Sequence, residues 1–323
     1  MKRPQELGRF PAAEVARQLL LAHLDAAAEA HRRLARHTDV DALHDFRVAL
    51  RRLRSVLRAY RRQLEAMPKK LRKRLRALAR TTNAGRDAEV QLEWLRRQKN
   101  IPAMERAGYE WFRRRLERAR NRAYTDIRRD VPVYFSAIEG NLRKALRPIA
   151  PAKTGSYAAA TAGLLVDYGV RLGRKLACIR SIADQDKIHS ARIAGKRLRY
   201  ILEPLAAELS GAKRTVESLK TFQDRFGLLC DDFARARALR QAAETLGADR
   251  ARAALERASG ARAKAPDGLE SLLPGLAALA RRVEREAARR YAAIERRYLG
   301  DAGRTFLKPV SVLAHRLGTA ARH

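Results

Sequence analysis

The sequence predicts an all-α protein, and three observations support that class. Apolar residues recur every three or four positions through most of the chain, the spacing that gathers them on one side of a helix. No segment shows the sustained alternation of apolar and polar residues that is typical of a half-buried strand. A basic helical pattern at residue 44 returns at residue 189, about half the 323-residue chain later, which indicates an internal duplication.

The composition predicts an acidic partner. The chain carries 70 Lys and Arg against 35 Asp and Glu, a formal charge of +35, while a hydrophobic share of 46% is ample for a core. Self-repulsion on this scale destabilises a folded protein unless a polyanion offsets it.

Cysteine content and hydropathy predict the compartment. Cys178 and Cys230 are the only cysteines and lack metal-ligand spacing, which is typical of a reducing compartment. The first residues lack the apolar core of a signal peptide, and no uncharged run reaches the roughly 18 residues of a membrane span. We therefore expect a cytoplasmic protein that does not insert in a membrane.

A first helix is predicted over 11–37, and the helix after it is the most strongly patterned segment of the chain. Its cations fall within a sector of about 80° in helical projection, beside an apolar sector about 60° wide. The basic sector extends for roughly 15 Å, which suits an extended anion. Its members are His44, Arg47, Arg51, Arg54 and Arg58.

A third helix is predicted from Pro68, with a second basic face beside its leucines. If the apolar faces of the two helices pack together, their cations can line one groove. The segment from Thr81 to Arg86 predicts a kink or break before the helix resumes to Gln98. The basic positions of the third helix are Lys69, Lys73, Arg76 and Arg80.

The second half of the sequence repeats this plan. A helix over about 157–182 precedes a basic helix whose cations keep the earlier spacing. Glu217 and Asp224 stand where Lys73 and Arg80 would be, so the last stripe is less cationic. The matching basic positions are His189, Arg192, Lys196, Arg199, Lys213 and Lys220.

The remaining segments complete a helical chain. Further helices are predicted from Pro102 and over 132–146, 233–259 and 269–298. A Pro- and Gly-containing linker divides the chain into halves of residues 1–150 and 151–299. Residues 300–323 are predicted to be an irregular tail that docks on the body or frays.

The two basic motifs resemble the signature of the CHAD family, the conserved histidine α-helical domain. They read His44-x-x-Arg47-x-x-x-Arg51-x-x-Arg54 and His189-x-x-Arg192-x-x-x-Lys196-x-x-Arg199. Ile188 to Glu203 is similar to the family's second motif, and Arg86 to Val90 and Leu219 to Asp231 are similar to its partner-helix motifs. Thr82-Asn83 departs from the family, which often has Leu-Gly there. The resemblance covers residues 10–298.

The resemblance implies a fold and a ligand. The fold is two four-helix bundles related by a pseudo-twofold internal duplication, with a central basic pocket. The implied ligand is inorganic polyphosphate, and members of the family are associated with polyphosphate granules. The basic positions named above are thereby predicted to bind this ligand, with no cofactor, no metal and no catalytic residue.

Elementary chemistry agrees with such a ligand. A phosphate chain presents only repeated anionic oxygens, so its binder needs many forked, permanently charged donors on rigid elements. A bound anion would also favour protonated His44 and His189, whose reference pKa is about 6.5, so we expect binding to strengthen toward pH 6. Asp87 and Asp231 are interpreted as ion-pair partners of neighbouring arginines, in preference to catalytic acids.

Two other functions remain open at this stage. Nucleic-acid binding fits the net charge, but aromatic residues are only 6% of the chain and do not interleave with the basic stripes, so DNA or RNA is expected to be at most a weak competitor. A phosphate-chain hydrolase would need clustered carboxylates to hold Mg²⁺, and the basic helices lack them. The polymer length and the oligomeric state do not follow from the sequence.

Overall fold

The computed structural model describes residues 8–34, 39, 41–64, 67–147, 155–259 and 269–321. These residues form α-helices and no strand, apart from one isolated bridge between Pro11 and Ser156, so the all-α prediction is confirmed. The helices are α1 (Ala12–Leu34), α2 (Ala42–Ala59), α3 (Lys69–Thr81), α4 (Asn83–Arg96), α5 (Ala103–Ala145), α6 (Tyr157–Ala177), α7 (Gln185–Leu202), α8 (Ala212–Ala258), α9 (Leu269–Tyr298) and α10 (Gly300–Ala320).

The chain forms two compact units. One takes residues up to 83, 124–226 and 294 onward, and the other takes 84–123 and 227–293. Each unit therefore draws on both of the halves, 1–150 and 151–299, that the sequence repeat defines. The internal duplication and the pseudo-twofold relation between the two halves remain predictions made from the sequence.

The first unit is built around α2, α6 and α7. α1 packs along α2, α6 packs on both α7 and α10, and α2 also contacts α3 and α7. Phe222 of α8 stacks on Phe306 of α10 with ring centroids 5.3 Å apart, and Tyr298 meets both rings edge-on. This aromatic cluster holds α10 on the body of the unit.

The second unit combines α4 with parts of α5, α8 and α9. Its core includes Trp94 and Phe112 among leucines from all four helices. α5 and α9 cross at two glycines, because a Cβ on Gly108 would lie 2.1 Å from the carbonyl oxygen of Leu272 and one on Gly275 would lie 2.2 Å from that of Glu105. The two backbones therefore touch directly at this crossing.

Gly108→Ala is expected to lower the free energy of unfolding by about 2 kcal/mol or more, because the added methyl meets backbone that cannot rotate away. Gly140→Ala, on the same helix, is the matched control. Its Cβ would have no neighbour within 4 Å, so it should stabilise the helix by about 0.5–1 kcal/mol. Urea denaturation of both variants measures the difference, and a Gly108→Ala variant as stable as Gly140→Ala would contradict the close crossing.

Three predictions of helix extent are wrong. Residues 132–146 are the end of the longer helix α5, which continues through Pro132, and residues 233–259 belong to α8, which begins at Ala212. Residues 300–320 form helix α10 instead of an irregular tail, because Val310, Leu313, Ala314 and Leu317 give them a buried apolar face. The predicted end of the first helix, at residue 37, lies outside the described residues.

The break predicted between Thr81 and Arg86 occurs where α3 ends and α4 begins. The hydroxyls of Thr81 and Thr82 donate hydrogen bonds to the carbonyls of Leu78 and Ala79, at 2.8 and 3.0 Å. Thr82 and Asn83 correspond to Phe226 and Gly227 of the second half, where α8 continues without interruption. Side chains that bond back to the helix bend or end it, and neither Phe nor Gly has such a group.

Candidate functional site

Helix α2 presents its cations because its leucines are buried. Phe46, Leu50, Leu53 and Leu57 are at most 3% exposed, and α1 packs along the same helix. The helical spacing then leaves the arginines on the neighbouring side. Arg54 is partly buried and Arg58 is exposed.

Helix α3 presents a second basic face by the same device. Leu71, Leu75 and Leu78 are buried, whereas Lys69 and Lys73 are exposed and lie on the side of the helix away from that core. No acidic residue occupies the first turn of α3, although a carboxylate there would stabilise the helix by interacting with the positive end of its dipole. Positive charge on this helix is therefore retained at some expense in helix stability.

Helix α7 approaches the aromatic cluster through Gly195. A Cβ at this position would lie 2.3 Å from the Phe222 ring, so only glycine allows α7 and α8 to pack this closely. Leu198, Ile201 and Leu202 are buried on the same helix. This close packing of α7 on α8 fixes the position of Lys196 and Arg197, which follow Gly195 directly in the sequence.

Side chains of α2, α3 and α7 enclose a cavity of about 660 Å³, which we call the cationic groove. Eleven basic residues line it, and no Asp or Glu does so within the described ranges. The basic lining residues are Arg47, Arg51, Arg54, Arg58, Arg61, Lys69, Arg72, Lys73, Arg76, Lys196 and Arg197.

The charges in the cationic groove destabilise one another. Burial, with further repulsion from Arg51 and Arg192, lowers the pKa of Lys196 to about 7. Burial also lowers the pKa of Arg54, with Arg58 and Arg76 adding to the effect. Arginine remains charged in proteins, whereas Lys196 can reduce this repulsion by releasing a proton near neutral pH. A bound anion would relieve it for the whole groove.

Two arginines of the cationic groove are held by neutral hydrogen-bond acceptors. The Nε of Arg51 donates to the hydroxyl of Tyr200 at 2.8 Å. The Nη1 of Arg47 donates to Thr82 Oγ1 at 2.8 Å and to Asn83 Oδ1 at 3.0 Å. These hydrogen bonds fix both guanidinium groups in position beside the groove.

The second unit has a cavity of a different character. Its volume is about 730 Å³, and five arginines share its lining with four acidic residues. The arginines are mostly engaged: Arg97 pairs with Glu93 at 2.9 Å and Arg86 with Glu89 at 3.1 Å. A polyanion entering here would meet charges that are already neutralised.

Fully buried Asp232 anchors this second unit. It accepts hydrogen bonds from Arg235, at 2.7 Å, and from Arg290. Burial raises the pKa of Asp232, and both guanidinium groups oppose that shift. Arg235 also lies over the Trp94 ring, 5.2 Å from its centroid, and the negative charge of nearby Asp231 acts on Arg235. These contacts indicate that Asp231 and Asp232 help to stabilise the second unit.

Comparison with known proteins decides the family. The CHAD domain model matches residues 18–240, which is more than half of the chain. The chain belongs to the CHAD family. No curated protein matches the sequence.

Two solved structures share this fold. The CHAD domain from the plant Ricinus communis superposes with a TM-score of 0.60 at 19% identity, over 95% of this chain and 93% of the other. PptA from Streptomyces chartreusis superposes with a TM-score of 0.65 at 17% identity, over 89% of this chain and 99% of the other. Likeness at this level of identity extends to the fold.

The structure brings eight of the predicted binding residues together in the cationic groove of this CHAD protein. Five come from predicted positions on α2 and α7, and three come from α3. The eight are Arg47, Arg51, Arg54, Arg58, Lys69, Lys73, Arg76 and Lys196. Their role in binding stays a prediction.

The other predicted binding residues do not line the groove. Arg80 and Arg192 act on it from a distance, because their charges help to lower the pKa values of Arg54 and Lys196. Arg199 pairs with Glu203 at 2.5 Å and is hydrogen-bonded to Gln223. The remaining residues are exposed side chains outside the groove lining: His44, His189, Lys213 and Lys220.

Three groove cations were not predicted: Arg61, Arg72 and Arg197. Arg197 follows Lys196 and lies about 100° around α7, outside the repeated spacing that defined the stripe. Arg61 lies beyond the last residue of α2, where helical periodicity gives no direction. The high density of Lys and Arg between residues 47 and 80 was a signal that could have included Arg61 and Arg72.

A metal-binding cluster and a membrane-spanning helix are both absent from the part of the chain that the structure describes. These residues contain no group of three or more His, Cys, Asp and Glu side chains placed to hold a metal ion. Among the helices listed above, none combines the length and apolar character that crossing a bilayer requires.

Proposed function

We propose that this CHAD protein binds inorganic polyphosphate in the cationic groove and does not hydrolyse it. The observation that carries the proposal is the lining of the groove: eleven cations, and no carboxylate within the described ranges. A ligand that matches it must bring many negative charges and needs no positive or apolar group. A phosphate chain has this composition along its whole length.

The geometry favours a chain over a single small anion. Arg47 and Arg58 are eleven positions apart on α2, which corresponds to roughly 16 Å along the helix axis. The cations of α3 and α7 lie around the same cavity. One orthophosphate could contact only a few of these groups, and the rest would keep repelling one another.

Nucleic acid fits the groove less well. Among the described residues that line it there is no aromatic side chain, so bases would find no surface on which to stack. The uncharged polar residues of this lining are Ser55, Thr82 and Asn83, and the last two are engaged with Arg47. Nucleic acid is therefore proposed to be a weak competitor.

Hydrolysis of the chain is disfavoured by the same lining. Phosphoryl transfer in proteins commonly uses carboxylates to hold Mg²⁺ and to orient the attacking water. The described lining of the groove supplies none, whereas its cations suit ground-state binding. We propose a binding role in the cytoplasm, in association with polyphosphate granules.

A competition titration tests this function. Fluorescently labelled polyphosphate is bound to the protein and displaced with unlabelled polyphosphate or duplex DNA at equal phosphate concentration. We expect DNA to require at least about tenfold more phosphate for half-displacement. Equal displacement by the two polymers would contradict the proposal.

Phosphate release tests the non-catalytic part. The protein is incubated with polyphosphate and Mg²⁺, and orthophosphate is measured over time. We expect no release above a protein-free control. Release that grows with protein concentration and disappears in a groove variant would identify a hydrolase.

Binding is expected to weaken steeply as salt rises. Each phosphate contact releases condensed counterions, with a logarithmic slope of about 0.7–0.9 per contact in nucleic acids. Titration of labelled polyphosphate between about 50 and 300 mM NaCl, on both sides of the physiological ionic strength of about 150 mM, measures this slope. A slope near zero would mean that the groove cations do not form the main contacts.

A further inference from the structure

Lys196 is an amine among guanidinium groups. Within the described lining of the cationic groove, every other cation from α2 and α7 is an arginine. The position that matches Lys196 in the first basic motif is also an arginine, Arg51. An arginine keeps its proton in proteins, whereas a lysine that loses its proton becomes a nucleophile. The second motif therefore places an amine able to react inside the groove.

The surroundings of Lys196 favour the neutral amine. The side chain is partly buried, and Arg51, Arg54 and Arg197, which line the same groove, repel its charge. At the resulting pKa of about 7, roughly half of the amine is neutral at pH 7, compared with about one in 3,000 at the ordinary value of 10.5. Lys196 is thus a nucleophile at a pH at which ordinary lysines are almost entirely protonated.

The helix that carries Lys196 is fixed against α8 and offers an apolar neighbour in the groove. A Cβ on Gly195 would lie 2.3 Å from the Phe222 ring, so the backbone next to Lys196 cannot approach α8 any further. Ile193 lies three positions before Lys196, on the same side of α7, and also lines the groove. A small molecule beside Lys196 therefore meets arginines for an anionic end and Ile193 for a short apolar end.

An acyl phosphate has these two ends. It joins a short carbon chain, through its carbonyl carbon, to a phosphate group. Forked guanidinium donors such as those of Arg51 and Arg54 suit the phosphate, and the groove of about 660 Å³ has room for the whole molecule. We infer that Lys196 is an acylation site, which takes its acyl group from a small acyl phosphate whose phosphate is held by the groove arginines.

The acyl transfer needs no further reactant. The neutral Nζ of Lys196 attacks the carbonyl carbon, a nitrogen–carbon bond forms, and the bond from that carbon to the phosphate oxygen breaks. The proton released by the amine passes to the departing phosphate, which leaves as hydrogen phosphate. Arginines placed at the phosphate stabilise the negative charge that it gains. The product is an uncharged amide, so the groove loses one cation.

Acetylation by acetyl phosphate at pH 7 tests the inference. The full chain is incubated with this reagent, and the rate at each lysine is measured by mass spectrometry of peptides. We expect Lys196 to react at least about tenfold faster than Lys187, an exposed lysine of the same helix that pairs with Asp184. Lys196 should also react faster than Lys69 and Lys73, the exposed lysines of the groove. A rate at Lys196 no greater than that at any one of these three lysines would overturn the inference.

Arg54→Met tests the part of the arginines. This substitution removes a cation that attracts phosphate and also repels the charge of Lys196. Acetylation is therefore compared with acetyl phosphate and with an uncharged ester, N-hydroxysuccinimidyl acetate, because a change in the amine affects both reagents alike. At Lys196 we expect the rate with acetyl phosphate to fall about fivefold more than the rate with the ester. Arg118→Met, at an exposed position of α5, should leave the ratio of the two rates unchanged. Equal falls with both reagents in Arg54→Met would overturn the part of the arginines.

The pH dependence of the ester reaction separates a reactive amine from one that is merely accessible. The rate at Lys196 should rise to about pH 7 and level above about pH 8, where the neutral form is nearly complete. An accessible lysine of ordinary pKa keeps rising through that range by about tenfold per pH unit. A rate at Lys196 that still rises about tenfold between pH 8 and 9 would overturn the inference.

The inference goes beyond polyphosphate binding, and the two can fail separately. If polyphosphate occupies the groove, then at about ten times its dissociation constant it should slow acetylation of Lys196 about tenfold and leave Lys187 unaffected. Selective acetylation of Lys196 that polyphosphate does not slow would contradict the proposed function and support the inference. A preference for polyphosphate over duplex DNA, without selective acetylation, would contradict the inference alone.

Discussion

Replacing both Arg54 and Arg76 with methionine is expected to weaken polyphosphate binding by at least about 100-fold. Both side chains line the cationic groove, and a hydrogen bond to a charged group contributes about 1.5–3 kcal/mol. Methionine retains much of the apolar stem, so the loss reports mainly on charge. The salt slope should fall by about 1.5, which corresponds to two lost phosphate contacts.

The same double substitution is expected to leave the free protein as stable as before, or more so. Burial lowers the pKa of the Arg54 guanidinium, and Arg76 is among the charges that repel it. Arg118→Met with Arg122→Met is the matched control, because these exposed arginines of α5 lie outside the groove lining and the change in net charge is equal. If the control pair lost as much affinity, net charge and not the groove would determine binding.

Lys196→Met is expected to remove most of the pH dependence of binding above pH 7. In the free protein burial and the surrounding arginines lower the pKa of Lys196 to about 7, and a polyanion in the groove favours the charged form and raises that pKa again. Binding therefore takes up a proton. The contribution of Lys196 to affinity is complete below pH 7 and is lost as pH rises toward the pKa of the bound state.

Titrations between pH 6 and 9 measure this linkage. We expect the affinity of the unsubstituted protein to fall by up to about tenfold per pH unit above 7, and that of Lys196→Met to change much less. Lys187→Met is the control, because Lys187 is an exposed residue of α7 that pairs with Asp184 at 2.6 Å. A profile that changes only near pH 6 would assign the effect to histidine instead.

Charged Lys196 is expected to strengthen polyphosphate binding but to lower the stability of the free protein. A lysine whose pKa is lower in the folded state destabilises the fold fully below pH 7, and this penalty fades as pH rises toward the unfolded value of about 10.5. Lys196→Met is thus expected to be more stable than the unsubstituted protein at pH 7, by roughly 3 kcal/mol, with a smaller difference at pH 9. Thermal unfolding at the two pH values checks the sign.

Sequence periodicity predicted much of the groove because its walls are single helices. On α2 the buried Leu50 and Leu53 determine where Arg51 and Arg54 point, and the same logic holds on α3. Both directions follow from 3.6 residues per turn. The basic groove residues of these two helices could therefore be named from spacing alone, apart from Arg72.

Long-range packing was beyond the reach of periodicity. Arg199 keeps the spacing of the stripe and pairs with Glu203 four residues on, but it also donates to Gln223, a partner 24 residues away that no local pattern reveals. His44 and His189 keep that spacing too, but they lie near the helix starts, outside the groove lining. Helix α10 was missed because Gly303 and Pro309 resemble helix breakers, whereas its buried face packs on α6.

A crystal structure with polyphosphate bound tests the central claim most directly. We predict continuous density for a phosphate chain along the cationic groove, within hydrogen-bond distance of Arg51, Arg54 and Arg76 and of Lys196 on α7. Density for the chain in the mixed-charge cavity of the second unit, or on the outer surface with the groove empty, would contradict the account.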